Sequence, residues 1–418
     1  MHPGGYEPMN YQRMKSSLLF DNKQLWSVGF IVMIRSIGFG STWPFMAIFF
    51  NTDLGVPVYL VGVIFGVLAI SSTGCQIIGG HMTDFSGRKR TMMLGSGIGL
   101  VVYLSIILSL LFHFSVLIIS VLFVATSLSG GFLFPAATAA VADVTSSENR
   151  EKGYAIYRIL ANVGWAVGPL IGSQIFDAGV IWIFVLVEIS LVIQFTLILA
   201  FLAETSIRRE QSRRASMLSD FFVLDKALIY FSAGTLLLMI LTSQFSVTLP
   251  LYAVLKVHVL SRDIGYIFMV NGIVVVLGQL PMTSIVSRYR EVDAVILGML
   301  FYIAGYLLAA FSTSLTALMF DMAIITTGEN LTTPSVTSIV SRIAPVDRMG
   351  RYMAFNGMAN STGRALGPAV GSFFLYLFFG SNVAIWLALD TFGIASLAIM
   401  LIVRQKRFVE KEGNELVI

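Results

Sequence analysis

Gly164-Trp165-Ala166-Val167-Gly168-Pro169-Leu170-Ile171-Gly172-Ser173 and Gly363-Arg364-Ala365-Leu366-Gly367-Pro368-Ala369-Val370-Gly371-Ser372 spell one pattern twice, G-x-A-x-G-P-x-x-G-S, at an offset of 199 residues. The same offset pairs Pro135 with Pro334. Both copies lie in long apolar runs. Small residues four apart let two helices approach closely, and proline removes a backbone hydrogen bond and bends the helix it enters. A lone G-x-x-x-G signals packing only. Repeated with proline in both copies, it predicts two helical halves of like orientation, each with a kinked fifth helix at Gly164, Gly168, Pro169 and Gly172 or at Gly363, Gly367, Pro368 and Gly371.

Composition supports a membrane setting for these helices. Of 418 residues, 56% are hydrophobic and 12% charged, about half the charged share of a soluble domain. Disordered and collagen-like classes fail on the same figures. The single cysteine, Cys75, excludes an internal disulfide or a cysteine-based metal site. Apolar runs long enough to span a bilayer number twelve, at roughly 24–49, 57–80, 91–111, 115–142, 153–176, 180–203, 227–254, 263–286, 294–312, 315–340, 352–378 and 382–403. They do not alternate as barrel strands would. The expected fold is an all-α polytopic membrane protein of twelve transmembrane helices. A six-helix bundle over 1–203, a linker over 204–226 and a second bundle over 227–418 make it up. The first run follows Arg13, Lys15 and Lys23 and is a full span, unlike a cleaved signal peptide.

Of the 27 Lys and Arg residues, 22 fall in the segments on one side of the expected membrane and only Lys256 and Arg262 on the other. This asymmetry places both termini in the cytoplasm of a plasma-membrane protein. It also accounts for the formal charge of +4 without a nucleic-acid partner. The basic loop around Arg208, Arg209, Arg213 and Arg214 reads as a solvated linker or as a segment lying on the anionic inner leaflet.

The segment after span two, Gly80-His81-Met82-Thr83-Asp84-Phe85-Ser86-Gly87-Arg88-Lys89-Arg90, resembles the G-x-x-x-D-R-x-G-R-[RK] signature of the major facilitator superfamily. Phe85 replaces its first arginine. The duplicated Gly-Pro motif is similar to the fifth-helix motif of that superfamily's drug:proton antiporter branch, which is associated with export. Gly328-Glu329-Asn330-Leu331-Thr332-Thr333-Pro334-Ser335-Val336 in span ten resembles the G-E-x-x-x-x-P-S-V segment of some proton-coupled multidrug exporters, and Asp143 fits that subgroup. The resemblance covers nearly the whole chain. It implies that Gly80, Asp84, Gly87, Arg88 and Arg90 form a cytoplasmic gate against the eleventh helix, and that Glu329 handles protons and cationic substrates. A tight turn at Gly87 carrying topogenic charges is the other reading of that loop. In the second half Ser287 stands where Asp84 would. The pattern departs twice more: Thr126 takes the place of the family's arginine four residues before Gly130, and Ser246 that of a subgroup acid beside Gln244-Phe245.

An ionisable residue at the bilayer centre costs about 2.5–3.5 kcal/mol on insertion scales, so each one in a span asks for a reason. Arg35 and Glu329 lie at similar mid-membrane depth, at ~1.5 Å per residue. Their expected pairing across the halves would open when Glu329 takes a proton or a cation; a permanent structural salt bridge is the alternative. Asp143 and Asp321 are the next coupling candidates, Asp321 near enough to the outer surface to be wet. Arg364 and Asp390 share a depth and read as a structural pair or as a substrate site. Glu188 in span six reads as structural or as lining a lipid-side portal, and Arg158 as snorkelling to the cytoplasm. Phe39, Trp43, Phe245, Asn271, Asn356 and Asn360 are candidates for a substrate cavity or for packing; aromatic faces suit amphipathic and cationic molecules.

No P-loop, H-E-x-x-H, G-x-S-x-G or metal-ligand cluster appears. No nucleophile–base constellation supports an enzyme. The expected function is secondary active transport of small amphipathic or drug-like molecules by alternating access. Protons are the coupling ion, no other cofactor or metal is expected, membrane lipids surround the chain, and a monomer is expected. A lipid or glycolipid flippase, a carrier of one metabolite, and a non-transporting receptor or sensor remain the alternatives.

Overall fold

The computed structural model describes residues 22–146, 149–176, 178–205, 225–286, 290–345 and 349–405. Most of the expected 204–226 linker, and Ser287, lie outside them. The helices of the first half are Lys23–Ile48, Val58–Ser86, Arg88–Leu111, Val116–Val144, Arg150–Phe176 and Val180–Phe201, spans one to six. In the second half span seven is broken. Lys226–Thr242 leads through a 3-10 turn, Ser243–Ser246, into Thr248–Leu255, where the sequence predicted one continuous helix. Ser243, Gln244 and Ser246 each bond back to a nearby carbonyl, which competes with the helical ladder. Spans eight to twelve are Ile264–Val286, Glu291–Ala309, Leu315–Ile343, Met349–Leu377 and Asn382–Gln405.

Ten spans are long and apolar enough to cross a membrane by composition. Spans ten and eleven, 29 residues each, are long enough but more polar. Asp321, Glu329 and several threonines interrupt the first, and Arg364 and two asparagines the second. Polar residues at membrane depth cluster where helices line a cavity or pack on protein.

The halves repeat each other in their packing. Span one lies on span five as span seven lies on span eleven; spans two, three and four pack together as eight, nine and ten do. The duplicated glycines make those first contacts. A Cβ at Gly168 would stand 2.6 Å from the Ile37 carbonyl oxygen, and one at Gly367 2.9 Å from that of Ile240. Ile37 and Ile240 are 203 residues apart, so spans one and seven correspond at that offset.

Between the halves, span two packs on span eleven and span five on span eight. These contacts lie toward one face only. A Cβ at Gly62 would meet the Pro368 carbonyl at 2.6 Å, and one at Gly265 the Pro169 carbonyl at the same distance. Tyr59 and Tyr376 close that face with rings 5.1 Å apart. Toward the other face, which carries both ends of the described chain, the same helices part: Gly74 and Gly357 have no atom within 4 Å of a would-be Cβ, and Ile77, Ile159, Leu277 and Met358 are exposed. The molecule is closed at the far face and open at the terminal face.

Candidate substrate cavity

Glu329 lies between two residues that fix its direction. A Cβ at Gly328 would stand 2.6 Å from the Gly298 carbonyl of span nine, so that side of span ten is closed. Asn330 donates to the Val274 carbonyl of span eight at 2.9 Å. Glu329 is left half-buried beside span eight, where Asn271 Nδ2 donates to its Oε2 at 3.2 Å and to Thr326 Oγ1 at 2.9 Å. Arg364 of span eleven is exposed and interacts electrostatically with Glu329 and Tyr302. Among the described residues no ion pair or hydrogen bond holds its guanidinium. Its expected pairing with Asp390 is absent: Asp390 is buried in span twelve and neither of its oxygens accepts a hydrogen bond among the described residues. Equal depth on consecutive helices did not bring the two side chains onto facing sides.

Arg35 does not pair with Glu329. It is only 3% exposed and turns into its own half, toward Tyr103 of span three and Gly130 of span four, where a Cβ would lie 3.7 Å from its Nη2. Gly130 is the residue that the 199 offset matches to Glu329, so the first half has room for a guanidinium where the second half has a carboxylate. Arg35 also stands over the Phe39 ring at 5.5 Å. Among the described residues its Nε and Nη1 find no hydrogen-bond partner.

Phe39 stacks on Trp43 at 5.1 Å and meets Trp165 edge-on at 5.7 Å. Phe245 pairs with Phe268 at 6.0 Å. All three predicted aromatics are half-buried. A Cβ at Gly272 would lie 2.7 Å from the Ala166 Cβ; the two helices run antiparallel, so Asn271 and Trp165 stand on either side of this contact, about 3 Å apart along the axis. Asn360, one turn from Arg364, is half-buried, and its Oδ1 has no hydrogen-bond partner among the described residues. Asn356 departs from expectation: it is buried and accepts from Thr235 Oγ1 at 2.9 Å, joining span eleven to span seven. Asp321 is not wet. It is buried and accepts from Ser312 Oγ at 2.5 Å, about 12 Å along the helix from Glu329.

At the terminal face Arg88 Nε lies 2.7 Å from Asp143 Oδ2. Asp143 is therefore bound to the loop after span two and is no part of the cavity. Asp84 has a 79% exposed side chain, 3.9 Å from Arg88. Among the described residues Asp84 makes none of the expected contact with the start of span eleven, because this face is open. Gly87 takes φ +96°, and a Cβ there would stand 2.6 Å from the Glu204 carboxylate carbon. That carboxylate accepts the backbone N–H groups of Arg88, Lys89 and Arg90 at 2.7–3.3 Å, which suits the positive end of a helix. Gly80 lies beside Pro135 of span four.

The Major Facilitator Superfamily model matches residues 28–288 and again 231–416. The chain belongs to the major facilitator superfamily. It is a membrane transporter of that kind. The chain is 25% identical over 378 residues to the uncharacterized MFS-type transporter YttB of Bacillus subtilis, covering 89% of this chain and 90% of that one. Identity to the quinolone resistance protein NorA of Staphylococcus aureus is 24% over 410 residues, covering 94% and 100%. A POT family transporter solved with 5-aminolevulinic acid shares the fold, with a TM-score of 0.76 at 14% identity over 92% and 96% of the two chains.

Trp165 and Glu204 were missed by the sequence reading as parts of a site, and Arg364 was read first as structural. Trp165 and Arg364 were within reach. They occupy the same place in the repeat, beside Gly164 and Gly363, so a cavity-facing position for one implies it for the other. Glu204 follows span six by three residues, and nothing in its neighbourhood marks it as a partner for span three.

Proposed function

We propose that this transporter is a proton-coupled exporter of small amphipathic molecules. It works as a monomer in the plasma membrane with its terminal face in the cytoplasm, alternating between the form seen here and one open at the far face. One observation carries the reading. Glu329 is a carboxylate at mid-membrane, half-buried on a cavity wall; Asn271, which donates to it, and Arg364, whose charge acts on it without a direct bond, come from different helices. Its proton affinity depends on how buried it is and how near a cation stands. A rocking of the helices changes both, so one carboxyl can load and release a proton. Asp143 and Asp321 have other partners. The 22-to-2 distribution of basic residues supports the orientation, and similarity to NorA supports export.

The test is flux in proteoliposomes under an imposed pH gradient, with a panel of amphipathic compounds. Glu329→Gln should abolish accumulation against a gradient and leave downhill exchange. Wild-type accumulation by Glu329→Gln would place coupling elsewhere.

A further inference from the structure

Arg90 sits at the rim of a groove on the outside of the first bundle. It is the third residue of span three and is exposed, and among the described residues no ion pair or hydrogen bond holds its guanidinium. The charges beside it are engaged elsewhere: Glu204 accepts backbone N–H groups of the turn, and Lys89 Nζ donates to the Leu199 carbonyl at 2.9 Å. The groove, of about 670 Å³, lies between spans three and six, and its walls include Arg90, Met93, Leu94, Gly97, Val101 and Phe195. Arg90, Leu94, Gly97 and Val101 recur at helical spacing on one face of span three. From the first to the last is ~16 Å of helix, roughly half of the ~30 Å hydrocarbon thickness, so the groove runs the depth of one leaflet. Gly97 makes the hollow. A Cβ at Gly95 would stand 2.9 Å from the Ser129 carbonyl oxygen of span four and one at Gly99 2.6 Å from Ser129 Oγ, whereas one at Gly97 would meet nothing within 4 Å. Glycine weakens a helix interior, and this one admits no other helix. Gln194 Nε2 donates to Ser96 Oγ at 2.5 Å and ties spans three and six on their buried side. The second half carries neither feature. Spans three and nine correspond at an offset of 203, which puts Asp293 in the place of Arg90 and Leu300 in that of Gly97; Asp293 is paired with Arg404 at 2.8 Å. The cation and the notch occur together, in one half only.

We propose that this groove seats one anionic phospholipid of the leaflet at the terminal face, its phosphate on Arg90 and an acyl chain laid over Gly97 against Phe195. A guanidinium meets a phosphate through two parallel charge-assisted hydrogen bonds, and a long basic side chain at a helix end reaches the headgroup layer. The chain exchanges one apolar surrounding for another. It gains by close packing in the notch and gives no preference among lipids with equal chains. Selection falls on the headgroup. A net negative headgroup leaves its charge to Arg90, whereas phosphatidylcholine brings its own cation to the same phosphate. No residue of the central cavity takes part, so the site stands apart from the transport reading.

Native mass spectrometry of the purified full chain in detergent, titrated with dioleoyl phosphatidylglycerol or dioleoyl phosphatidylcholine, tests this. The wild type should bind the first at least about fivefold more tightly, the effect of one basic residue near an anionic lipid surface. Arg90→Gln should lower phosphatidylglycerol to the affinity of phosphatidylcholine and leave the latter unchanged. Arg90→Lys should keep most of the preference. Gly97→Leu, which puts the leucine of the second half into the notch, should weaken both lipids. Glycerol phosphate should displace neither. Equal binding of the two lipids by the wild type would overturn the proposal and leave ordinary boundary lipid in the groove. So would a preference that survives Arg90→Gln, an equal loss of both lipids in that variant, or unaltered binding to Gly97→Leu. Displacement of phosphatidylglycerol by glycerol phosphate would show a phosphate site without a lipid and would overturn it too.

Discussion

Arg88 and Glu291 hold equivalent positions in the two halves and carry opposite charges. Each stands at the start of its half's third span, 203 residues apart. Arg88 pairs with Asp143 at 2.7 Å, and Glu291 with Arg342, also at 2.7 Å. Asp143 and Arg342 are themselves 199 residues apart. The repeat has kept the ion pair and exchanged its ends. Nearby the charges are exchanged again with different bonding: the Glu204 carboxylate accepts the backbone N–H groups that open span three, whereas Arg404 meets Asp293 of span nine at 2.8 Å.

The two pairs differ in burial, and so in strength. The Arg88 and Asp143 side chains are 11% and 15% exposed, whereas Arg342 is 62% exposed. A double-mutant cycle on Arg88→Gln and Asp143→Asn should give a coupling of about 1–3 kcal/mol. The matching cycle on Arg342→Gln and Glu291→Gln should give about 0.2–1 kcal/mol. Unfolding in mixed micelles measures both. A larger coupling for the second pair would contradict this ranking.

Gly168→Ala should destabilise the protein by about 1–3 kcal/mol, the usual range for overpacking, because the new methyl group meets the span-one backbone at 2.6 Å. Gly367→Ala meets the corresponding wall of span seven and should behave alike. Gly357→Ala, with nothing within 4 Å, should leave the melting temperature unchanged. Thermal denaturation of the three purified variants decides it, and equal melting points would remove the packing role given to the duplicated glycines.

Most of this fold is written in the apolar runs and the repeat, since length, hydropathy and small-residue spacing are local properties. The cavity is written less clearly. Depth along a helix follows from counting residues, and it placed Arg35 level with Glu329. Direction around the helix does not follow from counting. Arg35 turned toward Gly130 because a glycine leaves space there, and Asn356 turned toward Thr235 while Asn360 did not. The break in span seven was equally hidden, since its Ser-Gln-Phe-Ser run reads as a mildly polar stretch of helix until its side chains find carbonyls.

Asp84→Asn should leave the stability of the present form unchanged, because its exposed carboxylate makes only a long ion pair with Arg88. Its effect should fall on the other form, in which the terminal face is shut and Asp84 meets span eleven. The population then moves toward the open-terminal form. Spin labels at His81 and Leu277, in a Cys75→Ser background, report the separation across that face. An unchanged distance distribution in Asp84→Asn would remove Asp84 from the gate.

The register of spans two and eleven predicts what the shut form contains. At the far face Gly62 lies against Ala369 and Gly66 against Ala365; the helices run antiparallel, so each step along one is matched by a step back along the other. Continued toward the terminal face, this register brings Thr73 level with Met358 and Asp84 level with the residues that open span eleven. Met358 is now exposed and the glycine beside it has no neighbour, so this stretch is free to receive span two when the halves rock. Thr73→Cys and Met358→Cys, again with Cys75→Ser, should form a disulfide only in the shut form, because the bond requires Cα atoms about 4.4–6.8 Å apart. Oxidation should trap that form slowly at rest and faster during turnover. The trapped protein should stop transporting and recover on reduction. A disulfide that leaves transport intact would show that these helices do not part and close in the cycle, and complete oxidation at rest would show that the open form is not the resting one.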